Sequence, residues 1–364
     1  MESARIPVGR TEAPDYLVEV RPGLLGDLGD ALARHGIRSR VIVCSTPTVW
    51  RVVAPQLPPP LRISDPILLP DGERYKGLSA VSRTYDALVR AGADRGTTVV
   101  AIGGGVLGDT AGFAAATFLR GLPLVHVPTT LLAQVDSAIG GKVGVNHALG
   151  KNLIGAFHPP RAVLVDPDVL ATLPRREFRA GLYEVVKYAV IASRPLFDLL
   201  AGRLREVFAR TPDVLVPVIA ECCGIKARVV TADERETGLR RILNFGHTIG
   251  HAIEAVTRYR RFRHGEAVAL GMVAAAHLAA RRGRLAATDR DALASLVTAM
   301  GPLPPAADLN GGDLLDAIRR DKKVVDGQLH FVLPDALGVV NVVTDVTEGE
   351  LARALADIGV RTSR

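Results

Sequence analysis

Residues Thr97 to Phe118 read TTVVAIGGGVLGDTAGFAAATF, which is an apolar run, a triple-glycine turn and an alanine-rich segment in direct succession. A short run rich in β-branched residues reads as a buried strand, and the longer segment after the turn reads as a helix. Gly103, Gly105 and Gly108 satisfy GxGxxG across the junction. Glycine lets backbone amides approach a pyrophosphate, and the helix N-terminus beyond adds its positive end. A strand before and a helix after are the context this motif requires. A standard Rossmann unit also closes its second strand with an acidic residue about twenty positions on. Here the next strand, Leu122 to Val127, carries none. The stretch therefore reads as a dinucleotide site of non-standard form.

Working outward, apolar runs alternate with helical periodicity: Tyr16 to Val20, then LLGDLGDALARHG, then Arg40 to Cys44, then Val81 to Ala91. That alternation implies parallel strands joined by crossover helices. Past Pro174 the character changes to long amphipathic segments, Arg179 to Ala192, Leu196 to Ala209, Pro212 to Thr231, Ile242 to Val256 and Ala267 to Arg282. Two short strands, Gln328 to Leu333 and Gly338 to Val343, and a last helix, Leu351 to Ile358, complete the reading. The expected fold is α/β: a Rossmann-like parallel-sheet domain over residues 1–174, then a mainly α-helical domain over residues 175–364.

The 364 residues are 48 % hydrophobic and 23 % charged, enough for two ordinary cores. The opening MESARIPVGRTEAPDYLVEV carries charges and prolines where a signal peptide needs an apolar core, and no apolar run approaches a membrane span. A soluble cytoplasmic protein without a membrane partner is expected. Cys44, Cys222 and Cys223 form no disulfide framework and no CxxC metal spacing, so they read as core. The net charge of +7 suits anionic small-molecule substrates. The densest basic run, RYRRFR at Arg258 to Arg263, is too short for a nucleic-acid face, and no nucleic-acid partner is expected.

Two further stretches carry chemistry. PTTLLAQVDSAIGGKVGVNHALGKN, from Pro128 to Asn152, is too polar and glycine-rich for core and reads as a functional loop held by a rigid sheet. RRILNFGHTIGHAIEAVTRYRRFRHGEAVALGM, from Arg240 to Met272, holds His247, His251 and His264 together with Glu254 and Glu266. His247 and His251 stand four residues apart on one helical face. Clustered imidazoles and carboxylates point to a metal. The spacing does not say which of them bind it, and it is not the HExxH of zinc proteases.

GGGVLGD, VPTTLLAQVDSAIGGKVGVNHALGKNLIGAFHPP, YEVVKY, NFGHTIGHAIEA, HGEAVALGM and DKKVVDGQLHFVLP together resemble the 3-dehydroquinate synthases, within the sugar phosphate cyclases. The resemblance runs from about Tyr16 to Val343. It implies a shikimate-pathway enzyme that turns 3-deoxy-D-arabino-heptulosonate 7-phosphate into 3-dehydroquinate and phosphate, with NAD and Zn2+ or Co2+ as cofactors, acting as a homodimer.

Carried over residue by residue, the resemblance implies Glu184, His247 and His264 as metal ligands. For NAD it implies Asp71, Gly72, Glu73, Arg74, Tyr75 and Lys76, then Gly105, Val106, Leu107, Gly108 and Asp109. Thr129, Thr130, Lys142, Lys151, Val169, Leu170, Ala171 and Thr172 complete that set. The substrate's carboxylate and phosphate are to be met by Asp136, Lys142, Asn152, Lys187, Lys226, Arg240, Asn244, His251, Lys322 and Lys323, with Arg120 reaching into the neighbouring subunit. Two residues depart from the family pattern: Thr46 stands where an acidic or amide contact to the adenosine ribose is usual, and Tyr183 replaces the usual alanine before Glu184.

The chemistry implied is transient. NAD removes a hydride at C5, the neighbouring carbon-bound hydrogen becomes acidic, phosphate leaves, the hydride returns, and ring opening with an aldol closure gives the carbocycle. Other sugar phosphate cyclases and a zinc and NAD polyol dehydrogenase are the competing enzymes. The second of these has no use for so many anion-binding side chains.

Overall fold

The computed structural model describes residues 4–10, 13–62, 65–236, 238–320, 324–325 and 328–361. The chain is mixed α/β and divides into two compact units, residues 1–174 with 210–231, and residues 175–209 with 232–364.

In the first unit seven strands form one sheet. They are β1 (Ala4–Arg10), β2 (Ala13–Val20), β3 (Val41–Ser45), β4 (Ile67–Leu68), β5 (Thr98–Gly103), β6 (Leu124–Pro128) and, at one remove in the chain, Ala162–Val165. Between β6 and that last strand lie β7 (Lys142–His147) and β8 (Gly150–Phe157), so it becomes β9. The order across the sheet is β1-β2-β9-β6-β5-β3-β4, and only the β1–β2 pair is antiparallel among its described ladders. Side chains alternate between two faces. Val43, Val100, Ile102, Val125 and Leu164 meet Leu24, Leu28 and Leu32 on one side. Ile42, Cys44, Val99, Ala101 and Leu124 meet Val81, Leu88, Ala111 and Ala114 on the other. Both faces are covered, which is why these strands read as unbroken apolar runs and not as alternating ones.

The helices of this unit are α1 (Leu28–Arg34), α2 (Pro47–Val53), α3 (Pro59–Arg62), α4 (Leu78–Arg90) and α5 (Gly105–Thr117). The Pro128 to Asn152 stretch is not the loop its composition suggests. It contains a π-helical turn, Ala133–Ser137, and then β7, which pairs antiparallel with β8 as a hairpin outside the main sheet. Gly144 and Gly155 face each other in register, and a Cβ on either would lie 2.5 Å from the opposite strand's carbonyl oxygen. The glycines that signal a loop are the ones that let two backbones touch.

The second unit contains α6 (Arg175–Ala192) and α7 (Arg194–Ala209). The next helix, α8 (Pro212–Ala232), groups with the sheet unit through Thr231, although its amphipathic pattern places it among the later helices. Amphipathicity shows that one face is buried and not what buries it. Here Lys226 pairs with Asp136, and the Cys223 thiol donates to the Gln134 carbonyl at 3.4 Å. Burial pushes the Cys223 and Cys44 thiols up to about 12, as expected of inert core cysteines. The remaining helices are α9 (His247–Val256), α10 (His264–Arg281), α11 (Ala287–Ala299), α12 (Gly311–Arg319) and α13 (Glu348–Asp357). Two short hairpins accompany them, β10 (Val324–Val325) with β11 (Gln328–Leu329) and β12 (Phe331–Ala336) with β13 (Val339–Val343). Helix α10 packs against α6, α9, α11 and α13. The single helix expected from Ile242 to Val256 is two pieces, a 3-10 turn at Leu239–Asn244 and then α9. Gly246, at φ 76°, breaks them and makes His247 the first residue of α9.

Candidate metal and nucleotide sites

Glu184 sits mid-way along α6, fully buried. His247 begins α9 and His264 begins α10, so two helix starts converge on one helix interior. What allows the approach is glycine. A Cβ at Gly265 would lie 1.9 Å from the Ala180 carbonyl oxygen of α6, and one at Gly271 would lie 1.9 Å from the Gly246 carbonyl oxygen. The potential ligand atoms of Glu184, His247 and His264 all fall within 4.8 Å of one another. Glu184 Oε1 is 3.7 Å from His247 Nε2 and 3.5 Å from His264 Nε2.

Both imidazoles are oriented from behind. His247 Nδ1 is 3.0 Å from the Phe245 carbonyl oxygen, and His264 Nδ1 is 3.1 Å from Glu254 Oε2. With a proton held on each Nδ1, each Nε2 presents its lone pair toward Glu184, the arrangement that metal-ligating histidines use. Lys187 Nζ stands 2.5 Å from Glu184 Oε2 as a fully buried ion pair. Its direction is not that of a hydrogen bond, and among the described residues neither Glu184 oxygen has a hydrogen-bond donor. A buried carboxylate offset by one ammonium, with no hydrogen-bond donor, still carries a desolvation cost. A dication between it and two Nε2 atoms removes that cost, and two nitrogens with one oxygen are a zinc-type donor set that leaves positions open.

Glu266 anchors this corner. Its buried carboxylate receives Arg176 Nε at 2.8 Å, Arg176 Nη2 at 2.7 Å, Arg179 Nη2 at 3.3 Å and the Arg263 backbone N–H at 2.9 Å. Burial raises its pKa, but the Arg176 and Arg263 hydrogen bonds outweigh that and hold it below the usual carboxylate range. The Arg263 bond spans the first turn of α10, so it fixes the backbone that carries His264. Arg176 and Glu266 had no signal in the sequence beyond the HGE motif, because their partnership spans ninety residues. Glu254 had one: with His247 and His251 it completes an i, i+4, i+7 stripe.

His251 lies within this cluster, its ring centroid 5.4 Å from that of His247. Arg240 is buried, with Nη1 donating to the Glu234 carbonyl at 2.5 Å. Asn244 donates to Glu236 at 2.8 Å. Lys322 and Lys323 lie outside the described residues. Tyr183 is buried at the core of α6, where burial pushes its phenol up to about 12.

The first unit gathers a second set. Gly104 precedes α5 without a side-chain cap, leaving the amides of Gly105, Val106 and Leu107 at the helix start. A Cβ at Gly105 would lie 2.7 Å from Ser137 Oγ. The buried Lys76 donates to Asp109 at 2.6 Å and to Asn152 at 2.5 Å. Burial pushes Asp109 above the usual carboxylate range despite the Lys76 charge. Asn146 donates to Glu73 at 2.8 Å, and Lys151 Nζ is 3.7 Å from the same oxygen. Lys226 pairs with Asp136. Asp71 and Gly72 lead into the short turn Glu73–Tyr75, where the Arg74 guanidinium lies 4.6 Å from the Tyr75 ring centroid. Thr129 donates its N–H to the Gly103 carbonyl, and Thr130 Oγ1 accepts from Ala133 N. Lys142 is exposed at the start of β7. Val169 and Leu170 are buried and Thr172 bonds back to Val169, so the Pro167–Thr172 turn, Ala171 included, offers a ligand mainly its backbone. Thr46 is the N-cap of α2, its Oγ1 accepting from Val49 N at 3.3 Å. That cap explains a threonine there.

Residues 66–180 match the family description of the 3-dehydroquinate synthase N-terminal domain, and residues 181–324 match that of its C-terminal domain. The 3-dehydroquinate synthase of Nostoc punctiforme is 46 % identical over 349 residues, covering 93 % of this chain and 96 % of that one. Among solved structures, 2-epi-5-epi-valiolone synthase from Streptomyces hygroscopicus, with NAD+ and Zn2+ bound, superposes with a TM-score of 0.85 at 31 % identity, covering 96 % of this chain and 98 % of that one. A 2-deoxy-scyllo-inosose synthase complexed with carbaglucose-6-phosphate, NAD+ and Co2+ superposes equally well, at 0.85, with 27 % identity over 98 % of this chain and all of the other. With both family domains matched in order and nearly half of the residues shared along almost the whole length, the chain belongs to the 3-dehydroquinate synthase family.

Proposed function

We propose that the protein converts 3-deoxy-D-arabino-heptulosonate 7-phosphate to 3-dehydroquinate and phosphate, in the shikimate route to chorismate and the aromatic amino acids. The observation that carries the reading is the Glu184, His247 and His264 cluster, with Glu184 and His247 buried and His264 partly so, whose carboxylate lacks any described hydrogen-bond donor. Identity of 44–47 % to 3-dehydroquinate synthases selects this member of the family over the other cyclases. Glu184, His247 and His264 hold Zn2+ or Co2+, and the Gly105 to Asp109 helix start, with Glu73, Lys76, Thr129, Thr130 and Lys151, holds NAD. Bound there, the metal supplies Lewis acidity and NAD supplies a reversible hydride acceptor.

The protein's own groups do the rest. Lys187, inside the buried ion pair with Glu184, fixes that carboxylate and offers a cation to a substrate oxygen. By the family resemblance, Arg240, Asn244, His251, Asp136, Lys142, Asn152 and Lys226 are the groups that meet the substrate's carboxylate and phosphate. Planar and multidentate donors suit both anions. Incubation of the holoenzyme with the heptulosonate phosphate and substoichiometric NAD should release phosphate in many turnovers without accumulating NADH. Steady NADH production would sink the reading in favour of a polyol dehydrogenase. Equal turnover of the matching heptulose 7-phosphate without a carboxylate would favour another cyclase.

We also infer a cytoplasmic homodimer in which Arg120 serves its neighbour. Among the described residues no helix is long and apolar enough to cross a membrane. Leu119 and Arg120 hold left-handed backbone at φ 49° and 70°, and Leu119 is an exposed apolar residue, as are Leu149, Leu153 and Phe157 of the β7–β8 hairpin region. Left-handed backbone at two bulky residues is strained and tends to persist where function requires it. Mixing Arg120→Ala protomers with His264→Ala protomers should restore activity, because one site of the mixed dimer escapes both defects. No recovery after verified subunit exchange would place Arg120 outside the partner's site.

A further inference from the structure

We infer that His251, Glu254 and His264 form a second, weaker cation site whose filling inhibits the enzyme. The inference rests on the reading above, in that His264 already serves the first ion through one of its nitrogens. Helix α9 places His247, His251 and Glu254 at i, i+4 and i+7, a single stripe facing the start of α10. The ligand atoms of His251, Glu254 and His264 lie within 4.8 Å of one another, as do those of the first set. His264 belongs to both sets and divides itself between them. Its Nε2 is 3.5 Å from Glu184 Oε1, and its Nδ1 is 3.1 Å from Glu254 Oε2. The two nitrogens of an imidazole point away from each other, so no single ion takes both, and the two sets describe two ions.

Two imidazole nitrogens and one carboxylate oxygen form a donor set for zinc or cobalt, and copper takes the same set more tightly. To enter, the second ion displaces the proton on His264 Nδ1. The N–H bond breaks, the proton leaves to solvent, and the nitrogen lone pair forms the new metal bond while the ring stays on the first ion through Nε2. The loss of that proton and of the hydrogen bond to Glu254 makes this ion weaker than the first, which needs neither. Inhibition follows because the ion ties down His251, proposed above to face substrate, and adds positive charge where the substrate's own oxygens must approach.

Equilibrium dialysis of the full chain with NAD against a Co2+ series, with bound metal and the visible cobalt spectrum read together, tests this. The wild type should take up one tight ion and then a second in a separate spectral step, and excess Zn2+ should inhibit over the same range as that second step. His251→Asn should weaken the second ion by at least about tenfold and leave the first. Glu184→Gln should do the reverse. A wild type that stops at one ion through millimolar metal, or a second step unchanged in both His251→Asn and Glu254→Gln, overturns the inference. If the one tight ion instead survives Glu184→Gln and is lost in His251→Asn, the ligand set of the proposed function falls as well. The wild-type arm needs no variant to fold, so the proposal stays exposed even if one does not.

Discussion

The two units hold their chemistry in opposite ways. In the helical unit every group of the metal cluster stands on a helix, is backed by a second group, and sits where glycines let three helices touch. In the sheet unit the proposed nucleotide groups stand on a helix start, a turn and a hairpin, and are linked to one another by side-chain hydrogen bonds through Lys76 and Asn146. A metal needs its ligand atoms fixed to a few tenths of an ångström. A dinucleotide needs backbone amides and a charged surround that adjusts as it binds. The first demand is met by packing and the second by exposed backbone and by side chains with long stems.

The sharpest way to break this comparison is to add one carbon at the helix contact. Gly265→Ala would put a Cβ 1.9 Å from a backbone oxygen that no rotamer can move. The substitution should cost at least about 3 kcal/mol and abolish stoichiometric metal uptake. In α7 of the same unit, Gly202 has nothing within 4 Å of its would-be Cβ. There Gly202→Ala should stabilise by about 0.5–1 kcal/mol, with metal unchanged. Denaturant unfolding and metal analysis on both variants decide the matter. Equal effects at the two glycines would mean that close helix contact is not what builds the cluster.

A milder test concerns the group behind a ligand. Glu254→Gln keeps an acceptor for His264 Nδ1 and removes its charge, so it should lower affinity for the first metal about 10- to 100-fold while the fold persists. Competition with a chromophoric chelator measures this directly. An unchanged affinity would show that Glu254 orients nothing and that helix packing alone sets the ring.

How legible these features were in the sequence follows from the range of the interactions involved. Strands β2, β3, β5 and β6 and helices α1, α4 and α5 were readable because period and glycine punctuation are local. Gly103, Gly105 and Gly108 declared the turn for the same reason. The β7–β8 hairpin was not, because the glycines that suggest a loop also permit two backbones to touch. The membership of α8 was not, because its partners Asp136 and Gln134 lie about ninety residues away. At the metal cluster the three helical segments and their histidines were visible. Which of the three histidines would face Glu184 through Nε2 depended on the Phe245 carbonyl and the Glu254 carboxylate, partners that a spacing rule does not supply. Glu184, His247 and His264 as a set follow from the family resemblance and not from spacing, and the structure brings those three together.

A last test separates the units by their response to acid. His126 lies on β6, buried, with its ring against the place where a Cβ on Gly108 would stand. Burial, and then the neighbouring His158, push its pKa down to about 4. A histidine whose folded pKa is depressed stays neutral in the fold, whereas the unfolded chain binds the proton near pH 6.5. Stability from this residue is therefore fully present above pH 6.5 and is lost as the pH falls toward 4, by about 3 kcal/mol in all. In the helical unit the comparable acid-sensitive group is Glu350, held at about 2 by its hydrogen bonds from Arg282. That contribution survives until the pH falls below about 4.5, where the unfolded carboxyl begins to protonate. The sheet unit should thus weaken first on acidification. Trp50, the chain's single tryptophan, lies on α2 of that unit and reports on it alone. Its fluorescence-monitored urea midpoint should drop between pH 6.5 and 4 in the wild type, and His126→Gln should flatten most of that drop. A midpoint that falls equally in both proteins would assign the acid sensitivity of the sheet unit to groups other than His126.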